Sequence, residues 1–591
     1  ERFSSRRLAS VYAIVGIWLS ILIMGAGYKA SLRTFQAMTI KPMEKCSPAE
    51  RQTIAQYSRY RQLDEWYKAG RLDTGELAEY QTLDNLYKKG EIAAYASYTK
   101  PFWFYLIYTL FIGLYIIMGG FRAAAVTDAL QGVLILIFSF LLIPLALAKL
   151  GGWEEFTSRI PDQMLFVFGS GSDEFAWNSI AALVLVTIIG ITGHQGNMSL
   201  NGSARDELTA RIANIGGAYT KRLLTIVWAL CGLFAYALYQ ASISDADMAW
   251  GVLSRNLLGP GLRGIMVAGI LAANMSTLDA VCVYLSALFV RHLYKPLIAH
   301  RSPRHYINAS RAAIVVFLLL GIYVSSTTTS ILHLMMALPS LNIIFGAPVL
   351  LLLFWKRLTV KAVWAEVIIC SILFALLPQT LPLLGFVKNS DWLTQQTAEQ
   401  TVQRSVPATA RDVEAGLAGA VGEHIQKTVA VKPTAIFYDS VVREDPTHET
   451  SPMAGLGRLH TELILLKLAG FDLRQASPSL LLTLRYLVAA FLPFAILIPV
   501  SLVTDNKGLE ERIARFYVKM KTPVDPDPAE DARRLEESYA HPTRFDHTKL
   551  FAQSNWEFCK WTKTDTCGFL VSLGLTGGII LLFWGLIRWI A

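Results

Sequence analysis

The chain has 591 residues, 53% of them hydrophobic and only 17% charged, with a formal net charge of +9. A soluble domain carries about a quarter charged residues, so this apolar excess must face something other than water. The positive balance does not indicate nucleic acid, because it is scattered over short loops between apolar runs instead of forming one basic face.

About eleven of those runs are long enough to cross a bilayer, which takes roughly 20 apolar residues in a helix. They lie near 9–27, 102–120, 129–148, 177–196, 222–240, 262–284, 311–329, 331–354, 362–385, 484–503 and 568–590. Backbone groups in lipid must bond within their own segment, and a barrel would alternate at period two, so the runs predict helices. The expected fold is an all-α polytopic membrane bundle. It divides into a first helix with its flank (1–40), a helical insertion (41–100), a transmembrane core (101–387), a second polar segment (388–475), a helix (476–503), a charged segment (504–567) and a last helix (568–591).

Lysine and arginine assign the sides. With the N-terminus cytoplasmic, that face collects Arg2, Arg6, Arg7, Arg122, Arg205, Arg211, Lys221, Arg222, Arg291, Lys295, Arg301, Arg304, Lys356, Arg357 and Lys361, the positive-inside pattern. Eleven crossings then leave the C-terminus extracytoplasmic, together with 41–100 and 388–475. Localisation in the cell's inner (plasma) membrane follows.

In the first insertion, Ser47-Pro48-Ala49-Glu50 is a capping box with proline at the first helical position, so a helix starts there. Gly70 ends it, Asp73 or Thr74 caps a second helix, and Gly90 closes that one. Tyr80, Leu83 and Tyr87 share a face at helical spacing. In the second segment a helix is expected over Thr409–Lys427, extended chain over Val429–Val442 and an amphipathic interfacial helix over 457–470. Lying on one side, the two segments can pack into a cap. Residues 504–566 read as charged and helical. With only Cys46 in an external loop, no disulfide is expected.

No short-period repeat, Walker loop, dinucleotide fingerprint or H-E-x-x-H pattern is evident. Neither an ATP-driven pump nor an enzyme is expected.

Ionisable groups inside spans carry the functional signal. In the run 262–284, Ala273, Ser276 and Thr277 stand at i, i+3 and i+4 on one face. Asp279 is turned only about 60° from Ser276. Hydroxyls in membrane helices commonly bond their own backbone or a neighbouring helix. Two hydroxyls, a carbonyl and a carboxylate are also the hard oxygens that replace the water shell of a small alkali cation. The hydroxyls of Ser276 and Thr277 are then expected to face the core. Asp128, in Thr127-Asp128-Ala129-Leu130-Gln131, starts a span, where an aspartate also serves simply to stabilise the helix dipole.

The string from Tyr115 through Gly119-Gly120-Phe121-Arg122 to Thr127-Asp128-Ala129-Leu130-Gln131 resembles a signature of the sodium:solute symporters. So do Leu258-Gly259-Pro260-Gly261 through Met275-Ser276-Thr277-Leu278 to Leu293-Tyr294-Lys295, then Phe354-Trp355-Lys356-Arg357, Phe516-Tyr517-Val518-Lys519, and Arg2-Phe3-Ser4-Ser5-Arg6. Ile116 departs from the threonine many members carry. The resemblance, over roughly 1–40, 101–385 and 484–525, implies a LeuT-type core of inverted repeats with solute and sodium near the midplane. Relatives include sodium/glucose and sodium/proline cotransporters. It also implies that the first helices of a 14-helix symporter, including the broken first core helix, are missing from this chain.

What the resemblance carries over is a sodium half-site of Ala273, Ser276 and Thr277, and a second cation site or release path at Asp128 and Asp279. It implies Na+ as coupling ion, with proton coupling open, and a small organic solute as partner alongside the lipid bilayer. The helix 177–196 should be a broken core helix ending at Gly193-His194-Gln195-Gly196. His194, Gln195 and Asn342 are candidate solute contacts; His194 and Gln195 can equally end a helix at the cytoplasmic surface. The expected function is sodium-coupled secondary transport. The alternative is a non-transporting membrane sensor or scaffold on the same fold.

Overall fold

The computed structural model describes all residues except 1, 4, 69–71, 166–173, 244–245, 329–330, 409–412, 414–415, 420–422, 445–450 and 591. The expected helical membrane bundle is what forms: among the described residues ten helices are long and apolar enough to cross a bilayer. The eleventh expected span, 177–196, is a 15-residue helix, Trp177–Ile191, that breaks before a second one begins.

In chain order the membrane helices are α1 (Arg6–Met38), then, after α2 (Pro48–Lys68) and α3 (Thr74–Lys89) of the first insertion, α4 (Pro101–Leu150). There follow α5 (Trp177–Ile191), α6 (Gln195–Gly202), α7 (Glu207–Tyr239), α8 (Pro260–Phe289), α9 (Pro303–Thr327), α10 (Ile331–Phe354) and α11 (Val360–Cys370). After the second segment, which contains α12 (Thr461–Leu468), come α13 (Pro478–Val503), α14 (Glu510–Lys521), α15 (Pro528–Ala540) and α16 (Lys563–Ile590).

Burial centres on α1. Its Leu19 and Leu22 join a cluster with α5, α10, α11 and α13. Its Ile17, Ile21, Met24 and Tyr28 join another with α4, α8 and α9. In lipid, close packing and interhelical hydrogen bonds hold helices together more than apolar burial does, and α1 supplies both. Its small residues admit neighbours: a Cβ on Gly16 would meet the Gln195 side chain and one on Gly25 would meet Val324. Ser20 shares a hydrogen bond with Tyr284 (2.7 Å), Tyr28 one with Thr109 (2.8 Å), and Ser10 donates to the carbonyl of His292 (2.9 Å).

The 50-residue α4 is two spans in one, Pro101–Gly120 and Val126–Leu150. Gly120 sits at φ 59°, ψ −155°, a conformation that L side chains rarely adopt, so the chain turns there without a loop.

The two polar segments meet at one end of the bundle. Ser47 and Glu50 form the capping box at the start of α2, Asp73 and Glu76 form another on α3, and Gly90 ends α3 in the left-handed region. Gly70 lies outside the described residues. The expected absence of repeats needs correcting: the string Tyr60-Arg-Gln-Leu-Asp-Glu-Trp-Tyr-Lys-Ala-Gly70, whose first nine residues lie on α2, recurs in the sequence as Tyr80-Gln-Thr-Leu-Asp-Asn-Leu-Tyr-Lys-Lys-Gly90, whose first ten lie on α3. Leu63 and Leu83, at equivalent places, are both buried between the helices.

In 388–475 the helix expected over Thr409–Lys427 is not what its described end shows. His424–Val431 is a strand, β2, paired antiparallel with β1 (Gln400–Pro407) from Gln400↔Val431 to Pro407↔His424. Four β-branched residues among its eight, Ile425, Thr428, Val429 and Val431, favour a pleat. β3 (Tyr438–Arg443) pairs with β4 (Met453–Leu459). The amphipathic helix expected over 457–470 shortens to α12, because 457–459 belong to β4; Thr461, Glu462 and Leu463 are buried in protein.

This lobe is bonded to a membrane helix. Past Cys370 the span continues as a π turn, Ser371–Leu376, in which the N–H of Leu377 reaches back to Ile372 and passes over Leu373. Pro378 has no N–H for the carbonyl of Phe374. Both freed carbonyls are taken from the lobe: Thr461 donates to Leu373, and Arg458 donates to Phe374 at 3.0 Å.

At the opposite end, Arg2 is 1% exposed and donates to the carbonyls of Leu352, Trp355, Lys356 and Leu358 and to the Tyr517 hydroxyl.

Candidate functional site

The break in α4 places residues from both of its arms against α8. Tyr115, five residues before Gly120, donates its phenol proton to Asp279 Oδ2 at 2.6 Å. Asp279 is fully buried, and its other oxygen accepts the Ala280 N–H at 2.6 Å. Asp128, eight residues after Gly120, lies within electrostatic reach of both Asp279 and Tyr115. Its Oδ1 is buried and without a hydrogen-bond partner, as is Oε1 of Gln131, one turn further on. Asp128 and Asp279, both singled out from sequence, therefore lie within electrostatic reach of each other. Tyr115 and Gln131 join them unforeseen as site residues. The legible signal was a tyrosine and a glutamine flanking Gly-Gly within otherwise apolar spans.

The set Ala273, Ser276 and Thr277 divides differently from expectation. Ser276 Oγ donates to the Ala273 carbonyl at 2.8 Å, so these two oxygens bond each other along the helix. Ser276 is half-buried and Thr277 is exposed instead of facing the core. Helical phase gives the reason: Thr277 lies about 200° from Asp279, so burying the carboxylate against α4 turns that hydroxyl outward. Ala273 also borders a cavity of about 300 Å³ between α1, α4, α7 and α8, with Asn274, Ser139, Trp228 and Trp250 on its wall.

The solute candidates separate too. His194 and Asn342 line one cavity of about 290 Å³ with Thr187, Asn197 and Pro339. Gln195 is buried against Gly16 of α1 instead. The break between α5 and α6 is held on α10 by a close backbone crossing. A Cβ on Gly193 would come within 2.6 Å of Gly346 N, one on Gly346 within 2.4 Å of the Ile189 carbonyl, and Thr192 donates to the Gly346 carbonyl at 2.8 Å.

Acceptor oxygens of two carboxylates and an amide, inside membrane helices and not bonded to a lysine or arginine among the described residues, form a hard-oxygen set that suits a monovalent cation.

Residues 97–369, which contain all of these groups, match the sodium:solute symporter family. That stretch takes in both arms of α4, the broken α5–α6 element, α8 and α10. The sodium/pantothenate symporter of Haemophilus influenzae is 25% identical over 202 residues, 34% of this chain and 40% of that protein. The sodium/proline symporter of the same organism is 25% identical over 314 residues, 50% and 60% of the two chains. The sodium/pantothenate symporter of Escherichia coli is 25% identical over 396 residues, 64% and 77%. The chain thus spans about half the length of the first two relatives. A solved structure of a Na+-coupled sialic acid symporter, in a substrate-bound outward-open state, aligns at 18% identity with a TM-score of 0.38. It covers 64% of this chain and 90% of the symporter.

Proposed function

We propose that the chain serves sodium-coupled secondary transport of a small organic solute, in the inner membrane, with its N-terminal end cytoplasmic and its C-terminal end extracytoplasmic. The observation that carries this reading is the Asp128–Asp279–Tyr115 group inside a stretch that matches the sodium:solute symporter family. A sodium ion entering between the carboxylates would relieve their mutual repulsion and supply the partner that Asp128 Oδ1 and Gln131 Oε1 lack. Ala273, Ser276 and Thr277 serve as a sodium half-site beside it once the Ser276 hydroxyl turns from its own backbone and the outward Thr277 hydroxyl is covered by a further oxygen-bearing element. The cavity bordered by His194 and Asn342 receives the solute, and Gln195 positions the break against α1. Proline and pantothenate, which relatives are named for, are the first solutes to try.

The orientation is supported by the gathering of Arg2, Lys356 and Arg357 at the end opposite the lobe. The test is uptake by the full-length gene product in proteoliposomes, with and without an inward sodium gradient. Uptake of a solute that is equally fast without the gradient would sink the coupling.

A further inference from the structure

The duplicated motif Tyr-x-x-Leu-Asp-x-x-Tyr-Lys-x-Gly places a tyrosine, an aspartate and a second tyrosine at i, i+4 and i+7 on each of α2 and α3, so each trio lies on one helix face. Because the helices pack through Leu63 and Leu83, the two faces combine. Tyr60 stacks parallel to Tyr80 (ring centroids 6.0 Å apart), Tyr67 on Tyr80 (4.9 Å) and Tyr87 on Tyr60 (4.8 Å). The hydroxyl of Tyr80 donates to Asp64 at 3.0 Å and that of Tyr60 to Asp84 at 3.1 Å, each crossing to the other helix. Burial, together with Asp84 and Asp64, pushes both phenols above their usual range, so they remain protonated donors.

The ammonium of Lys432, from the other polar segment, sits where these groups converge. Its Nζ is 2.5 Å from Asp64 and 3.5 Å from Asp84, and lies 4.9, 5.8 and 5.9 Å from the ring centroids of Tyr80, Tyr67 and Tyr60. Aromatic rings with carboxylates around one cation are the chemistry that recognises organic ammonium groups. Beside Lys432 a cavity of about 210 Å³ remains, bordered by Gln396, Asn85 and Arg443.

We propose that the repeat builds an extracytoplasmic ammonium-binding cage, that Lys432 is its built-in ligand and fastens the two polar segments together, and that a primary alkylammonium occupies the cage when Lys432 is removed. The duplication explains why two aspartates and paired tyrosines face a single charge: each copy contributes half of the cage.

The test uses the full-length protein carrying Gln396→Cys at the cavity and measures its labelling by a membrane-impermeant maleimide. Lys432→Ala should speed labelling at least about tenfold, since a single partly desolvated cation–aromatic contact is worth that much and Lys432 makes three, with two carboxylates besides. Added n-butylammonium, but not n-butanol, should slow it again. Lys432→Met, which keeps the apolar stem, should label as fast as the alanine variant and serves as the test should Lys432→Ala fail to fold. In Lys432→Ala with Asp64→Asn and Tyr80→Leu, n-butylammonium should have no effect. Labelling of Lys432→Met at the parental rate, or slowing by n-butylammonium that survives loss of Asp64 and Tyr80, would overturn the proposal.

Discussion

The guanidinium of Arg2 donates to the hydroxyl of Tyr517 at 2.7 Å, joining two residues 515 positions apart. The same guanidinium caps carbonyls of the Trp355-Lys356-Arg357 turn, and Tyr517 in turn donates to Leu352 at 2.8 Å. Three strings that resemble family signatures separately are one knot at one end of the bundle. A planar, permanently charged fork can serve several carbonyls at once; an ammonium cannot match its geometry. Arg2→Lys should therefore destabilise the protein by about 2 kcal/mol, and Arg2→Ala by more, because buried carbonyls lose their donors. Thermal unfolding in detergent checks this; a melting temperature unchanged in Arg2→Lys would mean the knot is held by Tyr517 and the tryptophans alone.

Asp128→Asn should raise the sodium concentration for half-maximal uptake about tenfold, the equivalent of ~1.4 kcal/mol of lost ion binding, while leaving membrane insertion intact. Tyr115→Phe should shift the same curve less, since it frees an Asp279 oxygen without removing a charge. Sodium-dependence curves that superimpose on the parent for Asp128→Asn would return Asp128 to a helix-dipole role.

Ser276→Ala and Thr277→Ala should each weaken sodium dependence in the complete transporter, by about tenfold or less per lost hydroxyl. Ser276 must first give up its bond to Ala273, so its effect should be the smaller of the two. Normal sodium dependence in both variants would leave the carboxylate group as the coupling site.

The lobe should loosen in acid. His460 is buried, bonding Asp439 through Nε2 at 3.0 Å and facing the Ile436 carbonyl, with Arg485, Glu462 and Arg458 also near. Burial and Arg485 hold its pKa below the ordinary value, against the pull of Asp439. Burial alone would raise Asp439, but the His460 hydrogen bond and charge, the Arg458 N–H and Arg485 outweigh it and hold that carboxyl low. A neutral imidazole protonated on Nε2 still supplies the bond. The His460 contribution is thus complete above about pH 6.5, its unfolded value, and is lost as pH falls towards the folded one. The Asp439 contribution goes only below about pH 3.9. Protease sensitivity of residues 388–475 should rise between pH 7 and 5, and His460→Asn should flatten that rise. Tighter resistance in acid would contradict the assignment.

The spans were legible because lipid imposes length and polarity on each helix separately. The caps at Ser47, Asp73 and Gly90 were legible because they are local. Asp279 was visible as a charge in an apolar run, yet its direction was not, since the choice between facing Thr277's side and facing Tyr115 is made by α4. The first half of the strand His424–Val431, up to Lys427, was misread as helix because its partner, Gln400–Pro407, lies about two dozen residues upstream, while Val429–Val431 was rightly read as extended. The repeat on α2 and α3 was overlooked for a different reason: only six of its eleven positions recur, and their common purpose shows once Lys432 stands between them.

The turn at Gly120 carries one more implication. Two membrane crossings joined by a loop can shift independently, since the loop absorbs the difference. Here the crossings share one continuous backbone and a single glycine conformation, so there is no slack to absorb anything. Tyr115, bonded to Asp279, and Asp128, within electrostatic reach of it, ride on opposite sides of that joint. Rotation at one peptide would therefore act as a crank, altering the spacing between donor and acceptor around Asp279 in a single stroke. A helix tilt of a few degrees and the proposed ion coordination at Asp279 would then be geared to each other by covalent geometry.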